Sequence, residues 1–161
     1  MRRRRNQKLI IYFQILDGSL QKIIMSLKIE IHSFSYKKGG IPKDNSGNGG
    51  GFAFDCRGVL NPGRLEEFKA QTGCDAGVQQ FLEKSTKMPE FLKAVKSLVS
   101  INIENYLSRG FENLQINFGC TGGQHRSVYA AEKTAEFIRE KYPEASVSIN
   151  HDEQPQLNLN S

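Results

Sequence analysis

Four short segments of the chain have the hydrophobic pattern of β-strands. In LKIEIHSF, at 27–34, Leu27, Ile29 and Ile31 alternate with polar neighbours, which is the two-residue period of a half-buried strand. The other three segments are FAFDCR, LQINFG and SVSIN, at 52–57, 114–119 and 146–150. We therefore predict four strands, spread along most of the chain.

Helical periodicity occupies much of the sequence between these strands. A long helix is predicted to begin at Pro89 and to end at Gly110, and a second one covers 127–141. The apolar positions that approximate one face of the long helix are Leu92, Val95, Leu98, Val99, Ile103 and Tyr106. Two shorter helices are predicted over 65–70 and 76–84.

The order of these elements predicts an α/β fold. Because strand, strand, helices, strand, helix and strand follow one another, we expect a single layered domain with a central mixed, partly parallel sheet. The domain is expected to span 25–151 and to contain a flexible glycine-rich loop at 36–51. A polar tail at 152–161 follows it and is expected to be frayed.

Charge is concentrated at the beginning of the chain. The 161 residues carry a formal net charge of +5. Residues 1–24 hold six basic residues and one acidic residue, so they account for the whole excess, and the rest of the chain is neutral. The composition of the folded part therefore gives no support for bulk electrostatic binding to nucleic acid.

The first 24 residues form a basic and apolar extension that opens with MRRRRNQKLIIYFQIL. The extension begins like a signal peptide, but it lacks a small-residue cleavage pattern, and its apolar run is too short to span a membrane. We expect either a poorly ordered extension or a natural start at Met25. The alternative is an arm that binds a membrane surface or nucleic acid.

The cysteines and histidines show no spacing that indicates a disulfide framework or a metal site. Cys56, Cys74 and Cys120 are an odd number, and the chain contains no Cys-x-x-Cys or His-x-x-x-His pair. Because no convincing secretion signal is present, a reduced cytoplasmic protein is the simplest inference. We expect no metal site and no cofactor, although residues distant in sequence can meet in space.

The segment NFGCTGGQHRSV, at 117–128, joins the third strand to the last helix. Such a connection binds anions, because the first helical turn carries unpaired N–H groups and the positive end of the peptide dipoles. Gly122 and Gly123 let the backbone approach an anion, and Arg126 can donate two hydrogen bonds to phosphate oxygens. Further donors in the loop are Thr121, His125 and Ser127. We predict a phosphate-binding loop.

Part of this loop resembles the loop of cysteine-dependent phosphatases. Cys120 and Arg126 are spaced as Cys-x5-Arg, but Gly119 stands where those enzymes usually have a His. In that chemistry the catalytic residues would be Cys120 as the thiolate nucleophile, Arg126, Ser127, and Asp55 or Asp75 as the acid. A phosphatase is therefore the alternative function.

A longer resemblance covers most of residues 29–151. The segments SFSYKKGGIP, FDCRGVLNPG, TGCD and GCTGGQHRSV resemble, in that order, parts of the C-terminal domain of the RNase adaptor protein RapZ. The resemblance implies an α/β domain that is not itself an enzyme. It also implies a phosphosugar ligand, which is glucosamine-6-phosphate in the studied branch, and in that branch contact with RNA and oligomerisation.

The resemblance assigns two groups of residues to the ligand. Asp55, Arg57 and Asn61 would flank the pocket. The residues that would hold the phosphate are Thr121, Gly122, Gly123, Gln124, His125, Arg126 and Ser127, with Cys120 at the start of the loop.

The chain departs from the family pattern in three ways. Gly63 replaces the His that often follows Asn-Pro, and Asp152 and Glu153 stand where RNA-binding members carry a basic run. The P-loop domain of the full-length family has no counterpart, since no Gly-x-x-x-x-Gly-Lys-Ser/Thr segment occurs in the chain. We therefore carry over no ATP or GTP function, and RNA contact has the least support.

Taken together, these patterns predict a cytoplasmic domain that binds a phosphorylated metabolite and acts as a sensor or adaptor. The resemblance adds a protein partner or a homo-oligomer, and no membrane contact is expected. A third interpretation is a chain that works only through a partner carrying the missing domain.

Overall fold

A computed structural model of the protein describes residues 11–16, 19–24, 26–48 and 50–160. Within these ranges the chain forms six β-strands and three α-helices, joined by short 3-10 segments. The predicted extension at 1–24 lies partly outside the described residues. Its described part forms an antiparallel hairpin of β1 (Ile11–Leu16) and β2 (Ser19–Ile24), which is a separate two-stranded sheet.

The central sheet has four strands in the order β4-β5-β3-β6. The strands are β3 (Lys28–Ser35), β4 (Gly51–Asp55), β5 (Asn113–Cys120) and β6 (Ser146–His151). All three neighbouring pairs are parallel, so parallel pairing extends further than in the mixed, partly parallel sheet that the sequence predicts. The predicted α/β fold with a single layered domain is confirmed.

Three α-helices connect and cover these strands. They are α1 (Ala76–Ser85), α2 (Met88–Arg109) and α3 (Arg126–Lys141). Pro89 lies in the first turn of α2, and Gly110 ends it in the left-handed region with φ 71°, as the sequence predicts. The segment predicted as a helix over 65–70 is instead a 3-10 turn at Glu66–Phe68, since so short a segment gains too few hydrogen bonds to nucleate an α-helix.

The position of β5 in the middle of the sheet decides where its loop emerges. Every residue of β5 after Asn113 is buried, as expected for a central strand of a covered parallel sheet. In the register, Asp55 of β4 lies beside Gly119, and Ser35 of β3 lies beside Cys120. The carboxyl ends of three neighbouring strands therefore meet where β5 ends.

The glycine-rich loop and the tail differ in their regular secondary structure. Among their described residues, 36–50 contain no helix or strand, as predicted for the loop. The tail is more ordered than the predicted frayed end, because it forms a 3-10 segment at Pro155–Asn160. Asn158 ties this segment to β6 by accepting a hydrogen bond from the His151 backbone N–H at 2.7 Å. None of the described helices has the length and apolar character to cross a membrane.

Candidate functional site

The loop between β5 and α3 is fixed to the neighbouring strand β3. Ser35 Oγ donates a hydrogen bond to the Thr121 carbonyl at 2.7 Å, and the Tyr36 N–H donates to the Cys120 carbonyl at 3.0 Å. The helix then begins at Arg126, so the N–H groups of its first turn face the carboxyl edge of the sheet. The predicted strand–loop–helix connection is therefore present, and anion binding by it stays a prediction.

Two glycines of this loop occupy positions that a larger residue could not. Gly123 has φ 66°, and a Cβ there would lie 2.5 Å from the Cγ of Glu153. A Cβ at Gly119 would collide with the rings of Phe34 and Tyr36. The residue before Cys-x5-Arg therefore cannot be the His of the phosphatase loop without a rearrangement of these two aromatic side chains.

Arg126 is a buried cation at the start of α3, with only 3% of the residue exposed. Its Nη1 donates to the carbonyls of Val59 at 2.7 Å and Arg57 at 3.2 Å, and its Nη2 donates to Thr121 Oγ1 at 3.4 Å. Among the described residues, its Nε has no hydrogen-bond partner and no carboxylate forms an ion pair with it. The charge of Asp55 acts on Arg126 only from beyond ion-pair distance. A buried charge without a close counter-ion is costly, which favours an anion beside Arg126.

A pocket of about 680 Å³ opens beside Arg126. The predicted residues that line it are Arg57, Asn61 and Arg126. Its other basic lining residues are Arg64, Lys84 and Lys87, and no acidic residue lines it. A concave site with one sign of charge concentrates ligands of the opposite sign, so this pocket suits an anion.

The sequence analysis did not include Arg64, Lys84 and Lys87 in the site. Lys84 lies in the last turn of α1 and Lys87 directly precedes α2. The sequence shows these basic residues beside a helix break, but it does not show that the break packs opposite the start of α3. The contribution of these three basic residues to the pocket therefore could not be predicted from the sequence and is seen only in the folded structure.

Arg57 is held in place at the pocket by Asp55. Its Nε donates to Asp55 Oδ1 at 2.9 Å, its Nη2 donates to Oδ2 at 2.6 Å, and its guanidinium lies 4.1 Å from the ring centre of Tyr36. The hydrogen bonds from Arg57 keep the pKa of the Asp55 carboxyl below its usual value. Asp55 is therefore an ionised group that orients Arg57, and it is poorly suited to donate a proton.

Gln124 and His125 use their side chains to fix the loop from behind. Gln124 Nε2 donates to the carbonyls of Lys69 at 2.9 Å and Gln71 at 2.7 Å, and His125 Nε2 donates to the Phe68 carbonyl at 2.9 Å. Neither side chain lines the pocket. These two predicted phosphate contacts are therefore brought to the loop, but they face the segment that precedes α1.

Two other predicted residues also make local contacts. The Asn61 side chain accepts a hydrogen bond from the Gly63 N–H at 3.2 Å, which closes the turn at the pocket wall. Asp75 accepts hydrogen bonds from the N–H of Thr72 at 2.7 Å and from its hydroxyl at 2.9 Å, and it does not line the pocket. The structure thus brings Asn61 to the site and leaves Asp75 outside it.

Cys120 lies behind the loop in the hydrophobic core, with 3% of the residue exposed. Burial alone would raise the pKa of its thiol, but hydrogen bonds from Ser127 and from the Gly123 N–H, together with the charge of Arg126, outweigh burial and lower it. Its Sγ lies 3.2 Å from both Ser127 Oγ and the Gly123 nitrogen. The Cys120 thiol is therefore more acidic than an ordinary thiol, but its sulfur is buried in the protein interior.

The described residues also include one group that could hold a metal ion. The ligand atoms of Cys74, Glu132 and His151 all lie within 4.8 Å of one another. No spacing in the sequence indicates this group, because its members come from three separate elements. His151 is fully buried, although a position at the end of a strand does not by itself predict burial.

Comparisons of the chain with known proteins all point to the same protein family. The model of the family described as the RapZ C-terminal domain matches residues 27–155. A nucleotide-binding protein of Thermotoga neapolitana is 34% identical over 128 residues, which cover 80% of this chain and 43% of that protein. One of Endomicrobium trichonymphae is 34% identical over 145 residues, covering 83% and 48%.

A third relative shows the same partial coverage. The nucleotide-binding protein of Cereibacter sphaeroides is 40% identical over 106 residues, which cover 66% of this chain and 33% of that protein. The chain therefore spans less than half the length of these relatives. Because the family match covers most of the chain, the resemblance predicted from the four ordered segments is confirmed, and the chain belongs to the RapZ C-terminal domain family.

Proposed function

We propose that this chain is a regulatory domain that binds a phosphorylated sugar in the pocket beside Arg126. The observation that carries the proposal is the buried guanidinium of Arg126, whose Nε has no partner among the described residues, at the start of α3. Four further basic side chains line the same pocket. A phosphate would supply the missing counter-ion and accept hydrogen bonds from the first turn of the helix.

The size and polarity of the pocket support a ligand larger than phosphate alone. A volume of about 680 Å³ lies within the range of small-molecule sites and exceeds what one phosphate group fills. Asn61 in the pocket wall offers polar atoms to hydroxyl or amino groups of a sugar, and Asp55 holds Arg57 in place at the same wall. The family resemblance makes glucosamine-6-phosphate the first ligand to test.

A nucleotide would also bring phosphate groups, and the relatives are called nucleotide-binding proteins. More than half of each of these relatives lies outside the matched region, and no P-loop pattern occurs in this chain. We therefore take the ligand of this pocket to be distinct from the nucleotide of the relatives, and the experiment includes a nucleotide for comparison.

The same geometry favours binding over turnover. Cys120 does not line the pocket, and Asp55 is held as an ionised partner of Arg57. A cysteine-dependent phosphatase needs an accessible thiolate and a protonated acid. One observation supports that alternative, which is the lowered pKa of the Cys120 thiol, so the experiment below includes phosphate release.

As a cytoplasmic sensor or adaptor, the domain would pass the bound state of its pocket to a protein partner or to a second copy of itself. RNA has less support as a partner, because the residues that follow β6 are acidic. The Asp152 Oδ1 lies 3.3 Å from His32 Nδ1, and the Glu153 Oε2 lies 3.1 Å from Lys38 Nζ. A gel shift with structured RNA at low salt tests this point. Absence of binding there would remove RNA from the proposal.

The ligand is tested by thermal unfolding of the full chain with glucosamine-6-phosphate, glucose-6-phosphate, glucosamine, inorganic phosphate and ATP, while released phosphate is measured in the same samples. We expect the two phosphosugars to raise the melting temperature more than glucosamine or phosphate alone, without phosphate release. No stabilisation by any phosphate compound would refute the proposal. Release that Cys120→Ser abolishes would instead identify the phosphatase.

A further inference from the structure

A second cluster of reactive side chains lies outside the set of residues that line the pocket. Cys74 comes from the segment before α1, Glu132 from α3, and His151 from the end of β6. Their ligand atoms, one thiol sulfur, one carboxylate oxygen and one imidazole nitrogen, lie within 4.8 Å of one another. Three separate parts of the chain, a loop, a helix and the end of a strand, thus converge on one point.

From this convergence we propose that Cys74, Glu132 and His151 form a binding site for a divalent transition-metal ion, with Zn²⁺ as the best match. Thiolate, imidazole and carboxylate are the three kinds of ligand that Zn²⁺ takes in proteins, at about 2.0–2.3 Å. Ligands of a tetrahedral ion lie roughly 3.5 Å apart at those bond lengths. A separation at the 4.8 Å limit would have to shorten by about 1 Å, and the 2.9 Å between His151 Nε2 and Glu132 Oε1 would have to lengthen, which side-chain rotation of Cys74 and Glu132 can provide.

The surroundings of His151 are those of a metal ligand. His151 is fully buried, and its Nδ1 lies 2.8 Å from Ser33 Oγ while its Nε2 lies 2.9 Å from Glu132 Oε1. A metal-binding histidine usually gives its second nitrogen to a polar partner that fixes the ring and its tautomer. Because a hydroxyl can either donate or accept, Ser33 can hold the ring with the Nδ1 proton that metal binding at Nε2 requires.

The same atoms also resemble a hydrolytic triad of Ser33, His151 and Glu132, but burial excludes that role. Ser33 is 0% exposed, on a strand in the middle of the sheet, so its hydroxyl cannot reach a substrate. Cys74 and Glu132 lie on the exposed side of the cluster, and they leave a route for an ion and for a water molecule as fourth ligand.

A bound ion would join the segment before α1 to the rest of the domain. Gly73, next to Cys74, donates its N–H to the Gln124 carbonyl at 2.9 Å, and a Cβ at Gly73 would collide with the backbone of α3. Glu153, two residues after His151, packs against Gly123. The ion would therefore act as a clamp on the structure that supports the phosphate loop, and this role does not depend on which ligand the pocket takes.

The experiment uses the full chain, without an affinity tag that contains histidine, after treatment with a chelator. Zn²⁺ is titrated by calorimetry, and Co²⁺ is titrated by absorption as a spectroscopic replacement for Zn²⁺. We expect one ion for each chain and a thiolate-to-cobalt charge-transfer band in the near ultraviolet. Cys74→Ser should abolish this band and weaken Zn²⁺ binding at least about tenfold, and Ser33→Ala should weaken binding about tenfold while keeping the band.

Two variants serve as matched controls. Cys56→Ala removes another cysteine and His32→Asn removes another histidine, and both should bind Zn²⁺ as the unchanged chain does. Circular dichroism of each metal-free variant shows whether it is folded, and Glu132→Gln provides a second test at a partly exposed position. Absence of the cobalt band, or a band and Zn²⁺ affinity that persist in Cys74→Ser, would overturn the proposal.

Discussion

Replacement of Arg126 by methionine separates a ligand-binding role for its guanidinium from a purely structural one. The change keeps an apolar stem of similar length and removes the charged head. In the free protein two effects oppose each other. The variant loses hydrogen bonds to the carbonyls of Val59 and Arg57, but it is also relieved of a buried charge without a carboxylate partner among the described residues.

The effect on ligand binding has one direction. Charge-assisted hydrogen bonds contribute about 1.5–3 kcal/mol each. Loss of two such bonds to a phosphate should weaken binding by about 100-fold or more. A ligand at 100 times its dissociation constant stabilises the native state by about 2.7 kcal/mol, and the same concentration should stabilise Arg126→Met by only about 0.4 kcal/mol.

Thermal unfolding with and without glucosamine-6-phosphate measures this difference. For a chain of this size the ligand-induced rise in melting temperature should fall from about 5–11 °C to about 1–2 °C. Arg109→Met is the matched control, because it makes the same chemical change at the end of α2, at a residue that does not line the pocket. An equal ligand-induced rise in Arg126→Met and in the unchanged chain would refute the role of Arg126.

Three further outcomes follow from the site and its surroundings. Gly119→Ala should lower the free energy of unfolding by about 1–3 kcal/mol, because its Cβ would overlap two aromatic rings, whereas Gly122→Ala, with open space around the Cβ, should change it by less than about 1 kcal/mol; equal losses in urea unfolding would contradict this. The Cys120 thiol should ionise at a lower pH than an ordinary thiol, and Ser127→Ala should move the midpoint upward; ultraviolet absorption of the thiolate follows both, and an unchanged midpoint would exclude the hydrogen bond as the cause. Because the hydrogen bond from buried His151 lowers the pKa of the Glu132 carboxyl, the stability that this bond gives is present above the ordinary carboxyl pKa and is lost as the pH falls through the lowered pKa; Glu132→Gln should flatten this decline in urea unfolding at acidic pH, and an equally steep decline would contradict the assignment.

Local patterns were sufficient for most of the fold. The alternation at 27–34 and the capping residues of α2 depend on neighbours in the sequence, so they could be recognised there. The loop from Cys120 to Arg126 could be recognised for the same reason, because its glycines and donors are consecutive. The prediction of a helix at 65–70 was wrong, since helix propensity alone does not determine the structure of so few residues.

The rest of the candidate site depends on tertiary packing. Lys84 and Lys87 reach the pocket only because the break between α1 and α2 packs opposite the start of α3. The His125 side chain could donate a hydrogen bond to phosphate, but in the structure it donates to the Phe68 carbonyl, in the segment before α1. The cluster of Cys74, Glu132 and His151 has no signature in the sequence, because its members meet only when that segment, α3 and β6 are in place.

The most direct test of the central claim is a crystal structure of the full chain with glucosamine-6-phosphate. We expect the phosphate group at the first turn of α3, within hydrogen-bonding distance of the Arg126 guanidinium, and the sugar in the pocket lined by Arg57 and Asn61. A phosphate bound elsewhere on the protein, or an empty pocket at a saturating ligand concentration, would contradict the account.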